Sequence, residues 1–426
     1  MALLLFNWLE RDGRLLLAAK MVRMFAYGFL SVILAIYLKL IGFDDFLIGL
    51  ILTTTLLNSV IFTLVASFYA DKLGRKKFLL VYAALMSASG FIFAISENYI
   101  ALITASFIGT INITGAEAGA FLTIEQAILP QTLKNVRKRN TVFAIYNMAG
   151  TLAMAAGVLL SGLPSVLQQY LQYFDIVLNQ IGSIKLLFAL YSMLGIVLIG
   201  IYLSLSQKIE VRNNQHKKTD EPKQLTKMSS LTPKSRSIVM RLSGLFAVDS
   251  FAGGFMIQSI VSFWFFTRFG ADLTTLSYIF SASAVLTAFS FMAAAKIADR
   301  IGLINTMVFT HLPANILIIA VAFAPTISIA AVLYLLRMAL SQMDVPTRQS
   351  YIVAVVREDE RTTSAGITNI SRNVTQAISP SLIGVLINSL SLAAPFVIGG
   401  ALKVVYDVGL YLNFRNVKPP EEKGEL

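Results

Sequence analysis

The sequence predicts an all-α integral membrane protein, with twelve transmembrane helices in two six-helix pseudo-symmetric bundles. Three observations carry this expectation. Apolar residues make up 56% of the 426 and charged residues only 14%, against about 45–50% and about 25% in soluble proteins. Polar breaks divide the chain into twelve apolar runs, near the roughly 20 residues that a spanning helix needs. Short motifs then recur between the two halves at almost one offset.

The first six runs cover 15–38, 46–70, 78–95, 99–129, 141–163 and 184–206. The second six cover 237–266, 273–298, 303–323, 326–356, 362–387 and 392–414. Between the sets lies 207–236, rich in Lys, Asn, Gln, Thr and Ser. Such a segment buries too little apolar surface to fold alone and reads as a mobile linker. The expected organisation is a bundle over 1–206, a cytoplasmic linker over 207–236 and a second bundle over 237–426.

Charge placement gives the orientation. Of 35 Lys and Arg residues, 25 fall in the even-numbered loops, the linker and the termini. The opposite side holds only Lys39, Lys185 and Arg268. Cytoplasmic loops carry the basic excess, so both termini and the linker are expected in the cytoplasm, and the cell membrane is the expected location. The net charge of +12 therefore reads as topology. Nucleic-acid binding needs an exposed basic face, and no basic segment interleaved with aromatics is present.

The chain has no cysteine, which excludes disulfides, thiolate metal sites and cysteine catalysis. The N-terminus lacks the order of charge, apolar core and small-residue cleavage site of a signal peptide. No metal-ligand spacing, phosphate loop or nucleophile constellation appears. Neither a cofactor nor a metal is expected, and the chain does not read as an enzyme.

The halves repeat. Asp71-Lys72-Leu73-Gly74 closes the second run and Asp299-Arg300-Ile301-Gly302 closes the eighth, an offset of 228. Gln126 and Asn147 match Gln349 and Asn369 at offsets of 223 and 222. Corresponding positions at nearly one spacing indicate a six-plus-six duplication.

The full loop after the second run stands as Ser67-Phe68-Tyr69-Ala70-Asp71-Lys72-Leu73-Gly74-Arg75-Lys76. With this loop the sequence resembles the major facilitator superfamily (MFS) of secondary transporters, over essentially its whole length. Ser67 replaces the usual leading glycine, and the second copy lacks the later arginine. The resemblance implies alternating access around a site between the two halves. An aspartate at a helix end can accept bonds from a neighbouring helix N-terminus and from Arg75, while Gly74 permits a tight turn. Asp71, Gly74, Arg75, Asp299 and Arg300 are thus candidates for a conformational latch. The alternative is a plain topology signal, which requires positive charge but no Asp or Gly at fixed spacing.

Ionisable groups inside a span cost from about 3 to over 10 kcal/mol, and those retained face partners or water. At about 100° per residue, Arg337, Asp344 and Arg348 share one narrow face, with Pro346 beside them predicting a kink. Asn369, Arg372, Asn373 and Gln376 form another polar stripe, and Arg23, Tyr27 and Ser31 a third. Asp249 precedes Gly253-Gly254, where weak helix propensity favours a bend. Arg23, Tyr27, Arg337, Arg348, Asn369, Arg372, Asn373 and Gln376 are substrate-cavity candidates. Glu117, Asp249 and Asp344 are proton-coupling candidates, Glu117 because the surrounding small residues would bring helices close and desolvate it. The competing reading of the Arg337, Asp344 and Arg348 group is an internal ion-pair network. Glu125 and Gln126 read as ties to the basic loop that follows, and His311 as a hydrogen-bonded packing residue.

The expected function is movement of a small solute by a monomer, with proton-coupled export by antiport implied by the prominence of this loop signature in proton-coupled exporters. Uptake or exchange of an anionic metabolite through an arginine-lined cavity is the alternative. A third reading is a non-transporting sensor or scaffold on the same fold.

Overall fold

The structure, a computed structural model, describes residues 9–115, 119–132, 139–174, 179–210, 231–357 and 360–417. Among these the regular elements are helices, and ten helical stretches are long and apolar enough to cross a membrane. The chain is an all-α, multi-spanning membrane protein.

In chain order, α1 spans Arg11–Leu40, α2 Asp45–Leu73 and α3 Arg75–Ile95. Asp44 starts α2 by accepting the Leu47 amide hydrogen at 2.7 Å, the role short polar side chains play at exposed N-termini. Between α2 and α3 the backbone turns at Gly74 with φ +110°, a region where a Cβ would clash. Next come α4 (Tyr99–Ile108), α5 (Ala120–Ile128), α6 (Arg139–Leu160), α7 (Leu163–Gln172) and α8 (Gln180–Leu203).

The fourth run, expected as one helix over 99–129, is therefore two short helices with a non-helical stretch from 109 onward. The composition contains the reason. Gly109, Gly115 and Gly119 weaken helix propensity, and Gly115 and Gly119 adopt φ of +74° and +109°. Unwound backbone at membrane depth needs internal partners. Here the Phe107 carbonyl accepts from Asn58, the Thr110 carbonyl from the Tyr191 hydroxyl at 3.1 Å, and the Ile113 carbonyl from the Ser259 amide at 3.3 Å.

The segment expected as a linker begins with order, a 3₁₀ turn over Gln207–Ile209 whose Ile209 is buried. The second set then comprises α9 (Pro233–Gly254), α10 (Gln258–Phe269), α11 (Leu273–Ile301), α12 (Leu303–Ala322), α13 (Ile327–Ser341), α14 (Asp344–Ala354), α15 (Arg361–Ile378), α16 (Ile383–Ser389) and α17 (Ala394–Phe414). The α9–α10 break follows Gly253-Gly254, at the expected bend. The tenth run breaks between α13 and α14, two residues before Pro346, whose missing donor costs nothing in a first turn.

By internal packing the chain forms two compact units, Met1–Asn213 with Ile257–Ala284, and Asn214–Met256 with Val285–Leu426. Within the first, α1 and α6 touch through glycine. A Cβ on Gly157 would lie 1.9 Å from the Phe25 carbonyl oxygen, and one on Gly28 2.3 Å from that of Met154. Serines seat α10 on α1, with Ser259 Oγ donating to the Ser31 carbonyl and Ser262 Oγ to that of Val32, each at 2.8 Å. Within the second, an apolar cluster formed by Leu242, Phe246, Met307, Tyr351, Tyr406 and Leu410 adjoins a polar array.

Candidate functional site

Each unit buries one set of charges. In the first, Arg23 of α1 reaches Glu125 of α5 with both terminal amines, Nη1 to Oε1 and Nη2 to Oε2 at 2.8 Å each. This fork geometry is the strong form of a guanidinium–carboxylate bond. Tyr202 donates to Glu125 Oε1 at 2.7 Å, and the Tyr146 hydroxyl donates to Oε2. All four residues are fully buried. Lys20, one turn before Arg23, places its ammonium 4.3 Å from the centre of the Tyr146 ring. Glu125 is therefore the counter-ion of Arg23 and not a tie to the following loop. Arg23 is bound on both prongs in this structure, so it does not present a free clamp.

Tyr27, one turn further along α1, lines a small cavity with Thr55, Asn58, Thr110, Asn112 and Phe121. Its volume is about 30 Å³, room for a water and not for a solute. The unwound 109–115 stretch forms much of its wall. Glu117 lies outside the described residues.

The second unit holds the larger array. Asp249 of α9 accepts from Lys403 of α17 at 2.5 Å, and its other oxygen lies 3.7 Å from Arg348 Nη1. Arg348 bonds Asp344 one turn back on α14 at 2.5 Å. His311 of α12 sets Nε2 3.8 Å from Asp249 and Nδ1 2.8 Å from Asp407 of α17. Asn315 donates to the second Asp407 oxygen at 2.8 Å and lies 3.0 Å from His311 Nδ1. Arg372 of α15 donates from Nε to Ser250 Oγ at 2.9 Å. Four helices and α14 thus converge on one buried patch, with Asp249, Asp344 and Asp407 facing Arg348, Arg372 and Lys403.

The sequence expectations divide accordingly. Asp249, Asp344, Arg348 and Arg372 come together. Arg337 does not join them, because the break after α13 rotates it off the stripe shared by Asp344 and Arg348. Its amines face the sulfurs of Met338 and Met256 at 3.2 and 3.7 Å instead. Asn369 and Asn373 are exposed and Gln376 is half-buried. Lys403 and Asp407 were missed, although each is an ionisable residue within the last apolar run, which is the signal that would have found them. His311 is hydrogen-bonded as expected, but to an aspartate inside a charged array.

At the α2–α3 turn, the side chain of Asp71 lies outside the description. Arg75 is buried and donates from Nη1 to the Ile209 carbonyl at 3.3 Å. The carboxylate that caps α3 is Glu210, accepting the amide hydrogens of Arg75 and Lys76 at 2.7 and 3.1 Å. A carboxylate here meets the positive end of the α3 dipole. Asp299 and Arg300 are exposed at the end of α11.

Comparison with known proteins agrees with this architecture. The chain is 27% identical over 433 aligned positions to the uncharacterized membrane protein YJR124C of Saccharomyces cerevisiae, covering 97% of this chain and 96% of that one. Its fold is similar to that of the nucleoside transporter NupG, with a TM-score of 0.72 at 16% identity over 95% of this chain and 99% of that one. A D-xylose–proton symporter gives 0.69 at 13% identity over 96% and 98%. Residues 16–380 match the profile of the Major Facilitator Superfamily; the chain belongs to this family of secondary transporters, which move small solutes across membranes by alternating access and are not enzymes.

Proposed function

We propose that the chain is a proton-coupled transporter whose protons are taken up and released in the buried array of the second unit. The observation that carries this is the position of His311 between Asp407 and Asp249. His311 Nδ1 can donate to Asp407, or accept from Asn315 while the carboxyl holds the proton. One added proton therefore has two adjacent homes. Among the described residues, the charged groups around the histidine are Asp249, Lys403, Asp407, Arg348 with Asp344, and Arg372 beyond Ser250. Among the described residues three carboxylates oppose three cations in this array, so a proton gained leaves a net charge that a conformational step or a solute can balance. Asp249 and Asp344 keep the coupling role expected of them, joined by His311 and Asp407.

The further reading is a monomer of twelve spans in two six-helix bundles, 1–206 and 237–426. It sits in the cell membrane with both termini in the cytoplasm, supported by the distribution of Lys and Arg. Export by antiport is supported by the resemblance of the 67–76 loop, with Asp71, Gly74, Arg75, Asp299 and Arg300 as the latch residues and Glu210 capping the helix that Arg75 begins. A second reading, uptake or exchange of an anionic metabolite, is favoured by one observation, a buried guanidinium at Arg337 that faces sulfur.

The test uses proteoliposomes and a solute identified by thermal stabilisation of the purified protein. A pH gradient drives net flux in the wild type, while H311N and D407N keep solute exchange but lose the drive. Unchanged drive in both variants removes the coupling role from this pair. The sense of the driven flux separates export from uptake.

A further inference from the structure

Arg337 lies in the middle of α13 with 7% of its surface exposed. Its terminal amines meet only thioether sulfur, at 3.2 Å (Met338) and 3.7 Å (Met256). Nε has no hydrogen-bond partner, and the Tyr334 ring centre is 6.0 Å from the guanidinium carbon. Among the described residues no carboxylate forms an ion pair with it. Arg23, Arg348 and Lys403, by contrast, each contact a carboxylate.

Thioether sulfur is a weak acceptor, and a buried charge without a counter-ion is strongly unfavourable. Packing does not demand this residue, since methionine or leucine would fill the same volume among Met256, Met338 and Tyr334 without desolvating a charge. Asp249 acts on Arg337 only at a distance beyond ion-pair contact and is committed to Lys403, as Asp344 is to Arg348. An anion that arrives and leaves answers the deficit. The guanidinium fork offers two parallel donors to two oxygens, and methionine side chains have the torsional freedom to move aside.

We propose that Arg337 is the recognition residue for an anionic group on the transported solute, a carboxylate or a phosphate. This deepens the second reading above and rests on it, but it does not depend on proton coupling.

The experiment uses the purified full-length protein in detergent at fixed pH 7, as wild type, R337K and R337M. Thermal unfolding is followed in sodium succinate, sodium phosphate and, at equal ionic strength, sodium chloride. Succinate or phosphate raises the wild-type midpoint above the chloride control, R337M loses that increment, and R337K keeps part of it. Without either probe, R337M melts above the wild type, because it removes a buried charge that no described carboxylate contacts. A merely structural arginine would give the opposite shift. Equal increments in wild type and R337M, or none in the wild type, overturn the proposal. Should R337M fail to purify as a folded protein, the wild-type increment and its reduction in R337K decide. No proton gradient is involved, so loss of the coupling reading leaves this result standing.

Discussion

Lys403 donates to Asp249 at 2.5 Å across α17 and α9, and both side chains are buried. Neither residue has a water-facing alternative, so each is the condition for the other's charge. Removing one member of a buried pair costs about 3–5 kcal/mol, while replacing both by apolar groups is often neutral. K403M is therefore expected to lower the thermal midpoint strongly, and D249L/K403M to recover much of it. The recovery is incomplete, because Asp249 also balances Arg348 and His311. A double-mutant cycle by thermal unfolding checks this, and equal losses in the single and double variants would contradict a pairwise origin.

The same logic applies to Arg23 and Glu125 with a stricter geometry. Glu125 accepts from both Arg23 amines and from Tyr146 and Tyr202, so E125L strands a guanidinium and two hydroxyls together. Its loss is expected to exceed that of Y202F, which removes a hydroxyl that donates to Glu125 and accepts from Arg23 Nη1 at 3.0 Å, bonds to charged groups worth about 1.5–3 kcal/mol each. R23L/E125L is expected to fold better than E125L. Yields of monodisperse protein and their melting midpoints rank the three.

Composition and periodicity made the membrane class, most span positions and part of the charged inventory of the second unit legible. What escaped them was tertiary. Asp344 and Arg348 are one turn apart and predict their own contact; Pro346 predicts a kink beside them, but not that the break removes Arg337 from their face. Lys403 and Asp407 are one turn apart on α17, so periodicity would pair them with each other, whereas their partners come from α9 and α12. Glu125 stands near a basic loop in sequence and opposite Arg23 in space, 102 positions away. The unwound stretch at 109–115 was foreshadowed by its glycines, yet a high apolar content masked it as helix.

Close helix approach in the first unit gives a prediction of another kind. Gly157 faces the Phe25 carbonyl, where an added methyl would sit 1.9 Å from oxygen. That contact is with backbone, so no rotamer change relieves it, and α1 and α6 would have to separate. G157A is expected to cost more than the roughly 1–3 kcal/mol typical of overpacking. G200A, in open space, is the control and is expected to be neutral or slightly stabilising through better helix propensity. Thermal unfolding of the two variants side by side reads the difference.

Glu360, in the loop before α15, connects that loop to the start of α9. Its Oε1 accepts the Thr232 amide hydrogen at 2.5 Å. Burial of the carboxyl works against ionisation, but hydrogen bonds from Ser235 and Thr232 outweigh it and hold the group below the usual glutamate range. A carboxyl depressed in the folded state contributes stability above its unfolded value, and that contribution is lost as pH falls through the folded value. The wild-type melting midpoint is therefore expected to drop on acidification through the glutamate range. In E360Q the amide cannot ionise, so this increment is absent at neutral pH and the two proteins converge in acid. The convergence is the diagnostic feature, since a loss of packing alone would separate the curves equally at every pH.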